Sequence, residues 1–97
     1  MRIDFMRSGG FTGIPLRKTL DTDTLPAEEG QELERLVDAA EFFSLPETPG
    51  SGGADKRQYK ITVEQNGRTH TVEADERAVP AALKPLVTKL ETAARPR

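Results

Sequence analysis

The stretch that decides the fold is residues 57–75, RQYKITVEQNGRTHTVEAD. Its Asn66-Gly67 pair is the strongest short signal for a β-hairpin, because both central residues of a type I′ turn need a positive φ. A two-residue turn also fixes the register of the two strands. Three pairs should therefore face each other on the buried side, with polar residues on the other side: Val63 with His70, Ile61 with Val72, and Tyr59 with Ala74.

A second hairpin is predicted at the beginning of the chain, between residues 1–7 and residues 16–22. Both segments place apolar side chains at alternate positions, the period of a half-buried strand, with Lys18 as an exception. Residues 8–13 between them hold three glycines, which predict a loop with positive φ values. Pro15 should lie at the start of a strand or on a sheet edge.

A helix is predicted after the first hairpin. Asp23 or Thr24 could cap it, and Pro26 suits its first turn. Gly30 should weaken the helix by roughly 1 kcal/mol relative to Ala. The apolar face follows helical spacing and consists of Leu33, Leu36, Val37, Ala40 and Phe43.

A second helix is predicted after the second hairpin. Residues 79–84 should form a short turn, and the helix should start near Pro85, since proline is disfavoured inside a helix. Its apolar stripe consists of Leu83, Leu86, Val87 and Leu90. The predicted fold class is α+β, with a four-stranded antiparallel sheet, two helices covering one face, and the order ββαββα. The pattern leaves the order of strands within the sheet open.

Composition limits the class of protein. The 97 residues are 35% hydrophobic and 31% charged, which predicts a single thin-cored domain over residues 1–97, with a flexible loop at 46–55 and a frayed tail at 95–97. No apolar run reaches the roughly 18–20 residues that span a bilayer, and no signal peptide is apparent, so we expect a cytoplasmic protein without a membrane partner. A net charge of −2 argues against nucleic-acid binding.

Few residues offer catalytic or metal-binding chemistry. The chain has no cysteine and one histidine. His70 is expected to be a strand histidine at a sheet edge, because a general base needs a nucleophile or acid nearby. Asp21 and Asp23 neighbour a helix start, where capping explains them. We therefore expect no enzyme, no cofactor and no metal site.

Two glycine-rich segments are candidate binding elements, residues 8–13 and 47–55. The first lacks the GK[ST] ending of a phosphate loop and precedes a strand, so phosphate binding is not expected. Phe11 either fills a pocket of a partner or folds back onto the core. The second segment is either a contact or a plain connector. Whether both lie at one end of the sheet stays open.

Several motifs in order resemble one family. They are MRIDFMRSGGFTG at 1–13, TLPAEE at 24–29, ELERLVDAAEFFSLP at 32–46, GGAD at 52–55 and QYKITVE at 58–64. Together they resemble emfourin and its relatives over nearly the whole chain. That family comprises small cytoplasmic bacterial proteins that inhibit thermolysin-like zinc metallopeptidases, especially protealysin-like ones.

The resemblance implies a protein inhibitor that blocks the active-site cleft of such a peptidase. It also implies a thermolysin-like or protealysin-like partner, and we expect the inhibitor to be a monomer. From loop position, the expected contact residues are Ser8, Gly9, Gly10, Phe11, Thr12, Gly13, Pro49, Gly50, Ser51, Gly52 and Gly53. The alternative is a non-enzymatic interaction domain that uses an acidic helix or an exposed strand edge. Residues 21–47 carry nine acidic side chains and one base, Arg35.

Overall fold

Four antiparallel strands form one sheet in the structure, a computed structural model that describes residues 1–8, 16–45, 58–75 and 79–94. The strands are β1 (Arg2–Ser8), β2 (Leu16–Asp21), β3 (Gln58–Gln65) and β4 (Arg68–Asp75). Two helices, α1 (Ala27–Ala39) and α2 (Lys84–Ala94), complete the order ββαββα and confirm the predicted fold class. The expected loop at 46–55 and tail at 95–97 lie outside the described residues.

The β3–β4 hairpin matches the prediction in turn type and register. Asn66 and Gly67 have φ values of 54° and 79°, as a type I′ turn requires. Across the strands, the observed pairs are those expected: Val63 with His70, Ile61 with Val72, and Tyr59 with Ala74. The inward residues of β3 (Tyr59, Ile61 and Val63) are buried, so this hairpin contributes one wall of the core.

The strand order, which the sequence pattern leaves open, is β2-β1-β3-β4. Strand β1 is antiparallel to β2 on one side and to β3 on the other. Strands β2 and β3 therefore run parallel to each other with β1 between them, and α1 lies on the connection that joins them. The edge strands of the sheet are β2 and β4.

The start of α1 differs from the prediction. Neither Asp23 nor Thr24 caps the helix; the residue before its first turn is Pro26, and no side chain caps the end. The two predicted caps instead belong to the turn after β2, where the Asp23 amide donates to the Asp21 carboxylate and the Thr24 hydroxyl donates to the Asp21 carbonyl. The Thr24 hydroxyl is thus used within the turn, and Asp23 lies four residues before Ala27, the first residue of the helix.

The end of α1 also differs from the prediction. The predicted face is buried at Leu33, Val37 and Ala40, but the buried phenylalanine is Phe42 and not Phe43. Glu41 has a left-handed backbone with a φ of 51°, which ends the helical periodicity. A 3₁₀ turn at Phe42–Ser44 (η1) follows and directs the Phe42 ring into the core, where the ring packs edge-on against His70.

Helix α2 follows a short 3₁₀ turn at Ala81–Leu83 and begins at Lys84, within one residue of the prediction. Pro85 falls in its first turn, where a missing amide hydrogen costs nothing. All four stripe residues (Leu83, Leu86, Val87 and Leu90) are buried against the sheet and α1. In the described ranges, neither helix is long and apolar enough to cross a membrane.

Candidate protein-binding end of the sheet

One end of the sheet collects the strand ends that flank both glycine-rich segments. In the register, Ser8 at the end of β1 lies opposite Gln58 at the start of β3, and Arg7 lies opposite Leu16 at the start of β2. Gln58 in turn lies opposite Asp75. We call the end formed by Arg7, Ser8, Leu16, Gln58 and Asp75 the loop end, and the opposite end, with the Asn66-Gly67 turn, the turn end.

Among the predicted contact residues, Ser8 is described, as a half-buried residue at the end of β1. The other predicted contacts lie outside the described residues: Gly9, Gly10, Phe11, Thr12, Gly13, Pro49, Gly50, Ser51, Gly52 and Gly53. One boundary of each segment nevertheless lies at the loop end. Segment 9–15 starts after Ser8, and segment 46–57 ends before Gln58, the residue paired with Ser8.

A polar cluster that the sequence analysis missed lies under the loop end. The guanidinium Nη1 of Arg7 donates to Glu91 Oε2 at 2.6 Å, and the hydroxyl of Tyr59 donates to Glu91 Oε1 at 3.3 Å. The side chains of Arg7 and Glu91 are each only 17% exposed. Arg7 continues the inward face of Ile3 and Phe5, so this cluster joins β1 and β3 to α2 at the border of the core.

Two signals in the sequence could have located these residues. Side chains alternate along β1, so Arg7 falls on the same buried face as Ile3 and Phe5. Glu91 follows Val87 by four residues and therefore lies beside the apolar stripe of α2. Sequence alone cannot pair two residues that are 84 positions apart.

The other boundary of the second glycine-rich segment is fixed by His70. Its Nε2 lies 2.7 Å from the carbonyl oxygen of Leu45, the last described residue before segment 46–57. Since a carbonyl oxygen only accepts, Nε2 carries the hydrogen. The imidazole also packs against Phe42 and Phe43, with ring centroids 5.6 and 6.1 Å away. His70 therefore holds η1 against the edge strand β4.

Charge is distributed unevenly between the two ends. Near the loop end, Arg17 and Lys60 flank Met6 on the outer face of the sheet and are exposed. Lys84 lines a shallow depression of about 190 Å³ beside Tyr59 and Glu91. At the turn end, an open polar depression of about 560 Å³ is lined by four carboxylates among other residues: Asp21, Asp23, Glu34 and Glu64. The loop end is mixed in charge, since the exposed Glu73 lies opposite Lys60 in the β3–β4 register, whereas four carboxylates line the depression at the turn end.

The described ranges contain no group of three His, Asp or Glu side chains that could hold a metal ion. The imidazole of His70 is bound to a backbone carbonyl and packed between aromatic rings, which is a structural role.

The chain is a small α+β domain of two hairpins, each followed by a helix, and Ser8, Leu16 and Gln58, which flank the glycine-rich segments, lie at one end of the sheet. The chain belongs to the emfourin family, because the family model Emfourin matches residues 5–91, nearly the whole chain. Searches of curated proteins and of solved structures found no match. The emfourin family is a family of inhibitors, so membership indicates a protease inhibitor in general, with a protease as the general class of partner.

Proposed function

We propose that this protein inhibits a thermolysin-like, protealysin-like zinc metallopeptidase by placing the loop end of its sheet in the active-site cleft. The inserted contacts would be residues 8–13 and 49–53. The observation that carries the proposal is the register of β1 and β3, in which Ser8, before the first segment, faces Gln58, after the second segment, so that one boundary of each segment lies at the loop end. Two glycine-rich segments on neighbouring strands can occupy one groove together.

Chain length supports this geometry. A tight hairpin needs about two turn residues, whereas seven residues separate Ser8 from Leu16. Segment 46–57 starts after Leu45, whose carbonyl oxygen is bonded to His70, and ends before Gln58, which lies opposite Asp75. Along β4, His70 and Asp75 are five residue steps apart, or about 17 Å, whereas the twelve residues of segment 46–57 reach about 40 Å when extended. Both segments contain more chain than their anchors require.

Phe11 is the proposed apolar anchor. Thermolysin-like enzymes prefer a bulky apolar residue beside the scissile bond, and glycines around Phe11 allow the backbone to approach a cleft closely. Strands on both sides of segment 9–15 reduce the conformational entropy lost on binding. Inhibition would then arise from occlusion of the cleft by a segment held in a geometry unsuitable for cleavage.

The proposed mechanism leaves the zinc ion of the peptidase in place. Extraction would need soft or clustered ligands on the inhibitor, whereas the chain has no cysteine and one histidine, which is bonded to Leu45. The zinc content of the inhibited peptidase should therefore equal that of the free enzyme. We further propose that the protein acts as a monomer in the cytoplasm.

The test is titration of the purified protein into a thermolysin-like peptidase with a peptide substrate. We expect stoichiometric loss of activity, competitive with substrate. Unchanged rates at micromolar inhibitor after long preincubation would reject the proposal. Phe11→Ala should weaken inhibition, while Phe43→Ala, the same change at the β4 edge, should not; equal inhibition by both variants would remove Phe11 as the anchor.

A second candidate function is a general interaction domain that uses its free sheet edge. On β2, three consecutive residues are exposed: Arg17, Lys18 and Thr19. Such an edge can pair with an extended segment of another protein. Capture of a partner through β2 by a chain that fails to inhibit any thermolysin-like peptidase would favour this alternative.

A further inference from the structure

The Arg7–Glu91 pair differs from the other ion pairs that the structure describes. The side chains of Lys89 and Glu32 are 35% and 48% exposed, and those of Arg2 and Asp4 are 60% and 46% exposed. The Arg7–Glu91 pair is 17% exposed on both sides, with a nitrogen–oxygen distance of 2.6 Å. Charged groups that are partly removed from water form stronger and more directional hydrogen bonds than exposed ones.

The position of the pair is as informative as its burial. Arg7 is the last inward-facing residue of β1, and Ser8, the next residue, is where segment 9–15 begins. Glu91 lies on α2 and also accepts from Tyr59, which pairs with Arg7 in the β1–β3 register. The Glu91 carboxylate thus holds β1 and β3 together next to Ser8, where the first glycine-rich segment begins.

We infer that Arg7 and Glu91 are positioning residues for inhibition: they hold the end of β1 against α2 and so fix Ser8, the residue after which the first glycine-rich segment begins. This inference rests on the proposed function. An anchor residue that is already held in place loses little conformational entropy on binding. If the anchor is loosened, the peptidase should be able to bind the following segment as an ordinary substrate and cleave it.

The main experiment compares two isosteric substitutions, each of which removes one ion pair of α2. Glu91→Gln removes the charge under the loop end. Glu32→Gln removes the charge that Lys89 contacts on the side of α1. We expect Glu91→Gln to raise the inhibition constant at least about tenfold and Glu32→Gln to change it less than about twofold. Incubation with the peptidase should yield cleavage within residues 9–15 in Glu91→Gln only.

Amide hydrogen exchange of the free protein provides a readout that does not depend on inhibition. Glu91→Gln should accelerate exchange at Arg7 and Ser8 while the β3–β4 hairpin keeps its protection. Glu32→Gln should leave both regions unchanged. If Glu91→Gln fails to fold, Arg7→Lys, which keeps the charge but loses the planar fork, takes its place with the same expected direction.

A double substitution tests whether the two residues act as a unit. Arg7→Met and Glu91→Gln should each weaken inhibition by a similar factor, and the double variant should be no weaker than the worse single variant. If the inhibition constant of the double variant instead rises by the product of the two single-variant factors, the two residues act independently and a shared role is contradicted.

The outcomes distinguish failure of the proposed function from failure of the positioning role. If the unaltered protein does not inhibit, the proposed function fails. If it inhibits and Glu91→Gln inhibits equally well, without cleavage and without faster exchange at Ser8, the positioning role is wrong and the proposed function stands. Faster exchange, weaker inhibition and cleavage within residues 9–15 in Glu91→Gln alone would support the positioning role.

Discussion

At the scale of single residues, Gly30 shows how tertiary contact can reverse a local propensity. Its position inside α1 predicts a weakened helix, yet Gly30 is buried, and a Cβ atom there would lie 2.7 Å from the carbonyl oxygen of Thr22. The Thr22 amide donates to the carbonyl of Met1, and its hydroxyl donates to Glu34. Gly30 therefore lets the first turn of α1 approach the end of β2 closely.

Gly30→Ala should lower the free energy of unfolding by about 1–3 kcal/mol, because the clash with a backbone oxygen outweighs the gain of about 1 kcal/mol in helix propensity. Urea unfolding followed by circular dichroism measures the change. Gln31→Ala, at an exposed position on the same helix, is the matched control and should stay within about 0.5 kcal/mol. A more stable Gly30→Ala variant would show that α1 does not pack closely against Thr22.

At the scale of elements, the hairpins were predictable and the junctions were not. A two-residue turn and a period of two determine the β3–β4 register locally, so Asn66-Gly67 was sufficient to predict it. The burial of Phe42 depends on the left-handed backbone of Glu41, for which the sequence carries no strong signal. Capping by Asp23 was predicted wrongly because Asp23 belongs to the turn after β2 and the helix begins only at Ala27, after Pro26.

The contact between η1 and β4 can be tested by substitution of His70. His70→Phe keeps an aromatic ring beside Phe42 but leaves the Leu45 carbonyl without its donor. It should lower the free energy of unfolding by about 1–3 kcal/mol, the cost of an unsatisfied, partly buried polar group. His70→Gln, which restores a donor, should recover part of the loss. Thermal unfolding measures both variants, and a neutral His70→Phe variant would contradict an anchoring role for this bond.

At the scale of the whole molecule, strand order decides the candidate site. The apolar pattern tells which face of each strand is buried but not which strands are neighbours, so the sequence left the relative placement of the two glycine-rich segments open. The order β2-β1-β3-β4 places their anchors, Ser8 and Gln58, opposite each other. The Arg7–Glu91 pair was equally beyond sequence reasoning, because it joins positions 84 residues apart.

The absence of cysteine allows a direct comparison of the two ends of the sheet. A polyethylene glycol chain attached to Ser8→Cys at the loop end should abolish inhibition, because it occupies the surface that enters the cleft. The same chain on Thr69→Cys, exposed and next to the turn end, should leave inhibition intact. Inhibition assays before and after labelling provide the readout. Loss of inhibition only in labelled Thr69→Cys would place the contact at the turn end and contradict the proposal.

We propose that the loop end is the surface that meets the peptidase. Hydrogen exchange of this protein, free and bound to a thermolysin-like peptidase, tests it most directly. We expect new protection in residues 6–17 and 56–60, with unchanged exchange at Asn66-Gly67 and along the acidic face of α1. Protection confined to α1 or to the turn end, with residues 6–17 exchanging as in the free protein, would contradict it.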